Sequence, residues 1–506
     1  MTTAQICILI AIVAYLGGML GVGVWFAKKN NSVDDFYLGG RKLGPFVTAM
    51  SAEASDMSSW LLMGLPGVAY LTGLAEASWT AIGLAVGTYL NWLIVASRIR
   101  RYSTRLDAIT VPQFFSKRWG DDRNLLSAIA AVIIIIFFIP YTASGFSACG
   151  KLFSTLFGID YLAAMLVSGA VIVIYTIMGG FLAASFTDLV QSIVMTIALI
   201  VVLGFGVNQA GGMDAVMTNA QSLAGYLSLS SIHDPATGSS NPYSLLTICS
   251  LLAWGLGYFG MPHILVRFMA IGDENKLSLS RRVATTWVCI SMAVAVFIGV
   301  IGNAMTKAGT REQLADAETI IVRISSLISA HGPLAALVAG VILAGILAAT
   351  MSTADSQLLA ASSSVSQDLC NDFLKMNLSG KRGMLMARGV MLVIFIVAAF
   401  LARDPNSSVF RVVSFAWAGF GATFGPTVLC ALFWKRSNKQ GALAGMIVGG
   451  VMVFVWKFLI APMGGVFAIY ELLPAFICAA IAIVVVSLVT PAPDQEIVST
   501  FESYNK

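Results

Sequence analysis

The segment Ala49–Gly67, A-M-S-A-E-A-S-D-M-S-S-W-L-L-M-G-L-P-G, sets two carboxylates, Glu53 and Asp56, and four serines inside an otherwise apolar run of membrane-spanning length. A carboxylate at the centre of a membrane helix costs about 2.5–3.5 kcal/mol on insertion scales, so such a residue marks a functional site by default. The small residues around it matter equally. Ala, Ser and Gly let the backbone leave the helical ladder, and the freed carbonyl and hydroxyl oxygens can then serve a ligand.

A second polar cluster, A-A-T-M-S-T-A-D-S-Q, occupies 348–357 within another apolar run. Helical spacing puts Ala349, Ser352, Thr353 and Ser356 on one face, offering a carbonyl and three hydroxyls. A hard monovalent cation wants several neutral or weakly charged oxygens, and unwound backbone at Ala54–Ser58 would complete such a shell. The plainer alternative is that these hydroxyls bond back to their own helix or across to a neighbour.

These clusters need a membrane scaffold, and the composition supplies one. The chain of 506 residues is 58% hydrophobic and 11% charged, with a mean hydropathy of +0.85. Soluble domains carry about a quarter charged residues, so the expected class is an all-α polytopic membrane protein. Apolar runs suited to a hydrocarbon core of about 30 Å fall at 4–26, 45–73, 78–97, 125–154, 161–180, 187–208, 244–270, 283–305, 333–360, 385–402, 409–434, 441–461 and 468–490. Thirteen spans are expected. Strand-period alternation is absent, which argues against a barrel.

With the N-terminus outside, twenty-two of the twenty-nine Lys and Arg residues before Lys506 fall on the inner side; they include Lys28, Lys29, Arg98 to Arg123 and Arg267. Seven fall outside: Lys151, Lys307, Arg311, Arg323, Arg403, Arg411 and Lys457. The positive-inside rule therefore gives N-out and C-in, with Lys506 inside, in a multi-pass plasma (cytoplasmic) membrane protein. The net charge of +5 needs no nucleic acid. The apolar run at 4–26 reads as a retained helix rather than a cleaved signal, because its positive residues follow it. Seven cysteines without C-x-x-C read as free buried thiols. Three scattered histidines and the absence of G-x-x-x-x-G-K-[ST] disfavour a zinc site and an ATP-driven pump.

Spans within 45–208 and 244–434 number five each, so the second set is inverted relative to the first, a transporter architecture. Each set opens on an interrupted span, Ser51–Gly67 and W-G-L-G-Y-F-G-M-P-H at Trp254–His263. Paired Gly/Pro interruptions point to a midplane site, although kinked, closely packed helices would share the pattern. The whole chain, 1–506, is then one transport domain with an additional helix before the repeats (4–26) and two after (441–490). The outer loop 209–243 is assigned no fold beyond a short helix at 213–225. The stretch Arg311–His331 reads as an amphipathic surface segment. The tail after Pro491 has no expected role beyond solubility.

The motifs quoted above, with W-x-A-I-G-L at 79–84, G-G-F-L-A-A-S-F-T-D at 179–188, A-A-T-M-S-T-A-D-S-Q-L-L at 348–359 and A-W-A-G-F-G-A-x-F-G-P at 416–426, resemble the sodium/solute symporter family, most closely its proline symporters. The resemblance covers nearly the whole chain. It implies the LeuT-type fold of inverted five-helix repeats and no enzymatic activity. It also implies sodium as the coupling ion, held by the carbonyls of Ala54, Met57 and Ala349 and the hydroxyls of Ser352 and Thr353. Asp56 matches the family's acid beside that site, and Ser58 a position near both ion and solute. The solute pocket falls on Ser58, Trp60, Tyr141, Trp254, Tyr258 and Pro262, an aromatic box suited to the ring of L-proline.

Two positions depart from the proline pattern, Glu53 and Ser59, where those sequences carry Gly, so a retuned ion shell or pocket is expected. Asp188 resembles the acid of a second ion site in some members, and with Asp355 and Ser356 it forms a candidate second cation or proton site; a structural polar pair is the alternative. The expected activity is sodium-coupled import of proline by alternating access. Alternatives are sodium-coupled symport of another small carboxylate or amino acid and, from a different class, a non-transporting membrane solute sensor. A membrane enzyme lacks any nucleophile–base–orienter set.

Overall fold

Uninterrupted runs of Leu, Ile, Val, Ala and Phe in hydrocarbon leave the backbone one economical way to pair its own N–H and C=O groups, the α-helix. The computed structural model describes residues 2–27, 33–309, 314–378 and 380–504, and helices dominate it. Among the described residues ten helices are long and apolar enough to cross a membrane, or eleven when Leu245–Gly260 and Pro262–Ala270, bent by 48°, are taken as one span. Helix starts follow local chemistry. Asp160, Ser244, Ser408 and Asn438 each accept a backbone N–H three residues on, and Pro45, Pro262 and Pro333 occupy first-turn positions where no N–H is needed.

Tyr161–Gln209 runs as one 49-residue element, about 73 Å at 1.5 Å per residue and more than twice a hydrocarbon core. Its backbone breaks inside, at Gly180 with φ 63° and ψ −166°. The interrupted segments expected at the head of each repeat are present. Pro45–Ser59 gives way to a π-helical turn, Trp60–Gly64, and then Leu65–Thr72. Leu245–Leu252 passes through a 3₁₀ stretch, Ala253–Gly260, before Pro262–Ala270 restarts the helix. The long helix Pro333–Ser363 packs against Pro45–Ser59, Leu125–Phe157, Tyr161–Gln209 and the N-terminal helix Thr3–Ala27.

Several expectations are corrected. The 209–243 loop holds a helix at Met213–Ser222 and also an antiparallel hairpin pairing Ser231–His233 with Ser240–Pro242. Ile320–Ser329 buries Ile320, Ile321, Val322, Ile324 and Ile328 against the bundle instead of lying on the membrane surface; Arg311 lies outside the described residues, as do Lys28, Lys29 and Lys506. The tail forms a helix, Gln495–Tyr504, whose Phe501 and Tyr504 are buried, because aromatic side chains three apart share a face. All seven cysteines are free as expected, yet only Cys149 and Cys370 are buried, while Cys249 and Cys289 are exposed on helices of spanning character.

Candidate functional site

The first break is centred on Ser58, which adopts φ 49° and ψ −172° inside the helix Pro45–Ser59. A non-glycine residue held there stores strain of order 1–3 kcal/mol, a cost that clusters at ligand sites. The Ser58 hydroxyl accepts the N–H of Trp60 at 3.1 Å, and that N–H also reaches the carbonyls of Met57 and Ser58. The preceding turn faces Pro333–Ser363. Ser352 donates to the carbonyl of Ala54 at 2.8 Å and to that of Ala349 at 3.2 Å. Thr353 donates to the same two carbonyls at 3.5 and 3.2 Å.

Four of the five expected ligand atoms thus form one buried cluster of neutral oxygens. Such a set suits a hard monovalent cation, with the hydroxyl protons turned away when a cation enters. The fifth, the Met57 carbonyl, is engaged by Trp60.

Asp56 stands behind this cluster, held at two points. Tyr141 donates to its carbonyl at 3.0 Å, and Tyr258 donates to its carboxylate oxygen Oδ2. Asn91 in turn donates to the Tyr258 carbonyl at 3.0 Å. Tyrosines from two helices therefore fix the acid's backbone and side chain together.

The aromatic residues converge as expected and bring others with them. Trp60 lies 5.6 Å from Trp254 and 5.9 Å from Phe410, ring centre to ring centre, and Trp254 stacks on Tyr470 at 5.0 Å. Trp417 contacts Tyr258 edge-on at 5.1 Å and donates its indole N–H to the Trp254 carbonyl at 2.7 Å. Phe410, Trp417 and Tyr470 were missed as site residues; the A-W-A-G-F-G motif carried the only signal, for Trp417. Gly257 is required here, since a Cβ would fall 1.9 Å from the Trp417 Nε1. Pro262 starts the restarted helix beneath this box.

Between Asp56, Tyr141, Trp60, Trp254 and Trp417 the remaining space is about 10 Å³, room for one water. Outside the aromatic roof, a vestibule of about 950 Å³ reaches Trp254, Phe410 and Tyr470. The box is closed, and the vestibule is open down to its roof. At the vestibule wall Glu318 accepts from Lys151 at 2.8 Å, from the Ser408 hydroxyl at 2.9 Å and from the N–H groups of Val409 and Phe410 at 3.1 Å. Lys151, counted above as an outer-loop charge, is buried in this clasp with Asp316 as a second partner at 2.9 Å.

Asp188 also has a partner that sequence reasoning missed. Arg267, placed among the inner-side charges, is 1% exposed and pairs with Asp188 at 3.2 Å. The same guanidinium donates to Ser51 at 3.0 Å, to the His263 carbonyl at 2.8 Å and to Ser356. Ser51 donates to Asp188 at 2.6 Å, and Ser356 lies 3.1 Å from Asp355 Oδ1. Asp188 and Asp355 therefore share one network through Arg267 and Ser356, and each keeps a buried oxygen without a hydrogen-bond partner.

The two departures behave alike. Glu53 accepts the Trp92 indole N–H at 2.8 Å, while its other oxygen and the Ser59 hydroxyl are buried without a partner. Among the described residues, no ion pair includes Glu53 or Asp56.

An interrupted helix that meets a continuous one at an oxygen cluster, beside an aromatic roof built partly by a second interrupted helix, defines an ion-coupled secondary membrane transporter. The chain belongs to the sodium:solute symporter family, whose model matches residues 36–449. It is 42% identical to a sodium/proline symporter of Haemophilus influenzae, covering 98% of this chain and 97% of the relative. It is 42% identical to the osmoregulated proline transporter OpuE of Bacillus subtilis (96% and 95% covered) and 41% identical to the sodium/proline symporter of Escherichia coli (96% and 93%). The solved structure of a Na⁺-coupled sialic acid symporter superposes with a TM-score of 0.78 at 20% identity, over 97% of this chain and 99% of that one. Mhp1, a nucleobase-cation-symport-1 family transporter in a closed conformation, gives 0.56 at 15% identity, over 94% and 99%. The fold is the LeuT type, with inverted five-helix repeats.

Proposed function

We propose that this protein imports L-proline together with sodium by alternating access. The observation that carries the reading is the meeting of Ala54, Ala349, Ser352 and Thr353 at the Ser58 break, beside a closed aromatic box whose roof must move to admit the solute. Relatives named as proline transporters over nearly the whole chain support the solute. In this reading sodium is held by the carbonyls of Ala54, Met57 and Ala349 and the hydroxyls of Ser352 and Thr353, with Asp56 supplying charge behind them. Ser58, Trp60, Tyr141, Trp254, Tyr258 and Pro262 line the solute pocket. Asp188, Asp355 and Ser356 form a second cation or proton site in which the Arg267 guanidinium supplies the positive charge.

Repeats at 45–208 and 244–434, flanked by 4–26 and 441–490, give thirteen crossings when the Gly180 break divides two spans. Arg98, Arg100, Arg101, Arg105, Lys435 and Arg436 then lie on the inner side, N-out and C-in. Sodium and proline bind with reciprocal coupling, because ordering the Ser58 segment for one ligand prepares it for the other. One sodium entering down a tenfold gradient supplies about 1.4 kcal/mol, and about 2.3 kcal/mol more per 100 mV of potential.

Uptake of labelled proline into proteoliposomes, with and without an inward sodium gradient and with other amino acids as competitors, tests this. Sodium-dependent uptake competed by unlabelled proline is expected. Sodium-dependent uptake of a different small carboxylate or amino acid would overturn the solute and leave the symport reading standing; binding of solute without flux would overturn transport.

A further inference from the structure

Four arginines fall within eight residues at the end of the span that begins at Leu74: Arg98, Arg100, Arg101 and Arg105. Arg100, Arg101 and Arg105 line an open cavity of about 610 Å³ that Asp273 and Glu274 also line. The acids are already engaged. Glu274 takes the Arg101 Nε at 2.6 Å and Asp273 lies 3.9 Å from Lys276, while Arg100 donates to the Ile271 carbonyl at 2.7 Å and to Thr104. Arg105 is exposed and makes no ion pair among the described residues. The cavity thus presents guanidinium N–H groups in excess of its carboxylates, a setting for an anion with several acceptor oxygens.

The rest of the helix says which anion. Ile82, Val86, Leu90 and Leu93 are exposed at spacings of three and four residues, an apolar stripe that leads toward the arginine end. On the neighbouring helix Leu279 and Ile290 are exposed as well, and Arg281 covers the ring of Tyr89 at 5.4 Å. A soluble phosphate would use the cavity alone, whereas a molecule with a phosphate head and acyl chains would use both. We propose that this cavity is a site for an anionic phospholipid, its phosphate among Arg100, Arg101 and Arg105 and its chains along the Ile82–Leu93 stripe. The side of the membrane rests on the C-in topology above, which places the lipid in the inner leaflet.

Native mass spectrometry of the purified full chain, titrated with dioleoylphosphatidylglycerol or dioleoylphosphatidylcholine, reads the site without any transport step, so its failure is separate from failure of the transport reading. Glycerol-lipid adducts are expected to exceed choline-lipid adducts. Each arginine removed should weaken them about fivefold, so Arg101→Ala/Arg105→Ala brings them to the choline-lipid level and Glu274→Gln strengthens them. Arg105→Ala alone, at an exposed position outside any ion pair, gives the same direction if the double variant misfolds. Equal adducts of the two lipids, or adducts unchanged in the arginine variants, would overturn the site. Displacement of the glycerol lipid by millimolar inorganic phosphate would overturn the lipid as its occupant.

Discussion

The hydroxyl of Ser352 sits 2.8 Å from the carbonyl oxygen of Ala54, across 298 residues of chain. That contact joins the interrupted helix just before Ser58 to the long, largely buried helix Pro333–Ser363, and it puts neutral oxygens from both repeats at one point. A cation arriving there would replace the hydrogen bonds that now hold the two helices together.

The first prediction follows from that replacement. The Ser352→Ala/Thr353→Ala variant removes two of the five oxygens and, of the apolar groups, only the Thr353 methyl. The sodium concentration for half-maximal uptake should rise at least about tenfold, the scale on which even groups behind a metal's ligands act, while the amount of protein in the membrane stays the same. An unchanged sodium requirement would move the ion elsewhere.

Arg267 and Asp188 give a second test, on stability. Removing one member of a buried pair leaves an uncompensated charge and costs about 3–5 kcal/mol, whereas removing both is often nearly neutral. Asp188→Asn and Arg267→Gln should each lower the melting temperature of the detergent-solubilised protein markedly, and the double variant should recover most of the loss. Losses that simply add would show that the two charges are not coupled in the folded state.

The same pair shows where the sequence was legible and where it was not. Asp56, Ser58, Ser352 and Thr353 stand out because polar residues inside apolar runs are costly and rarely accidental. Arg267 carried no such mark. It lies nine residues after Tyr258, near the expected end of a span, where an arginine is ordinary; only the fold, by bringing Ser51, Asp188 and Ser356 around it, makes it a buried cation. Lys151 was hidden in the same way by its place near a helix end. Phe410 and Tyr470 were invisible because an aromatic residue in or beside an apolar span is unremarkable until a partner from another element stacks on it. The interrupted spans were legible from Gly and Pro and the Ala54–Ser58 break from its small polar residues, whereas the residue that takes the positive φ was not, because it is Ser58 and not a glycine.

A third prediction separates ion from solute within the aromatic box. Tyr258→Phe removes only the hydroxyl that donates to Asp56, and a hydrogen bond to a charged group contributes about 1.5–3 kcal/mol. The sodium requirement should rise about tenfold or more. Trp254→Ala instead opens the roof beside Phe410 and Tyr470 and should raise the KM for proline with the sodium requirement nearly unchanged. Uptake measured over a grid of sodium and proline concentrations distinguishes the two. Loss of sodium affinity alone in Trp254→Ala would remove the indole from the solute pocket.

Glu53 supports a fourth. It is 1% exposed, one helical turn before Asp56, with one oxygen on the Trp92 indole and the other without a hydrogen-bond partner among the described residues. A buried ionised carboxylate without a cation is costly, and a neutral group of the same shape removes the charge while keeping the bond. Gln at this position presents a carbonyl to the Trp92 N–H through its own amide oxygen. Glu53→Gln is therefore expected to raise the melting temperature of the purified protein in sodium-free buffer. Glu53→Gly loses the Trp92 bond and leaves a void between Pro45–Ser59 and the segment Asn91–Val95, so it should melt below Glu53→Gln. If Glu53→Gln instead lowers the melting temperature, the carboxylate is making an interaction its amide cannot replace, and the departure from glycine at this position contributes to the fold through charge.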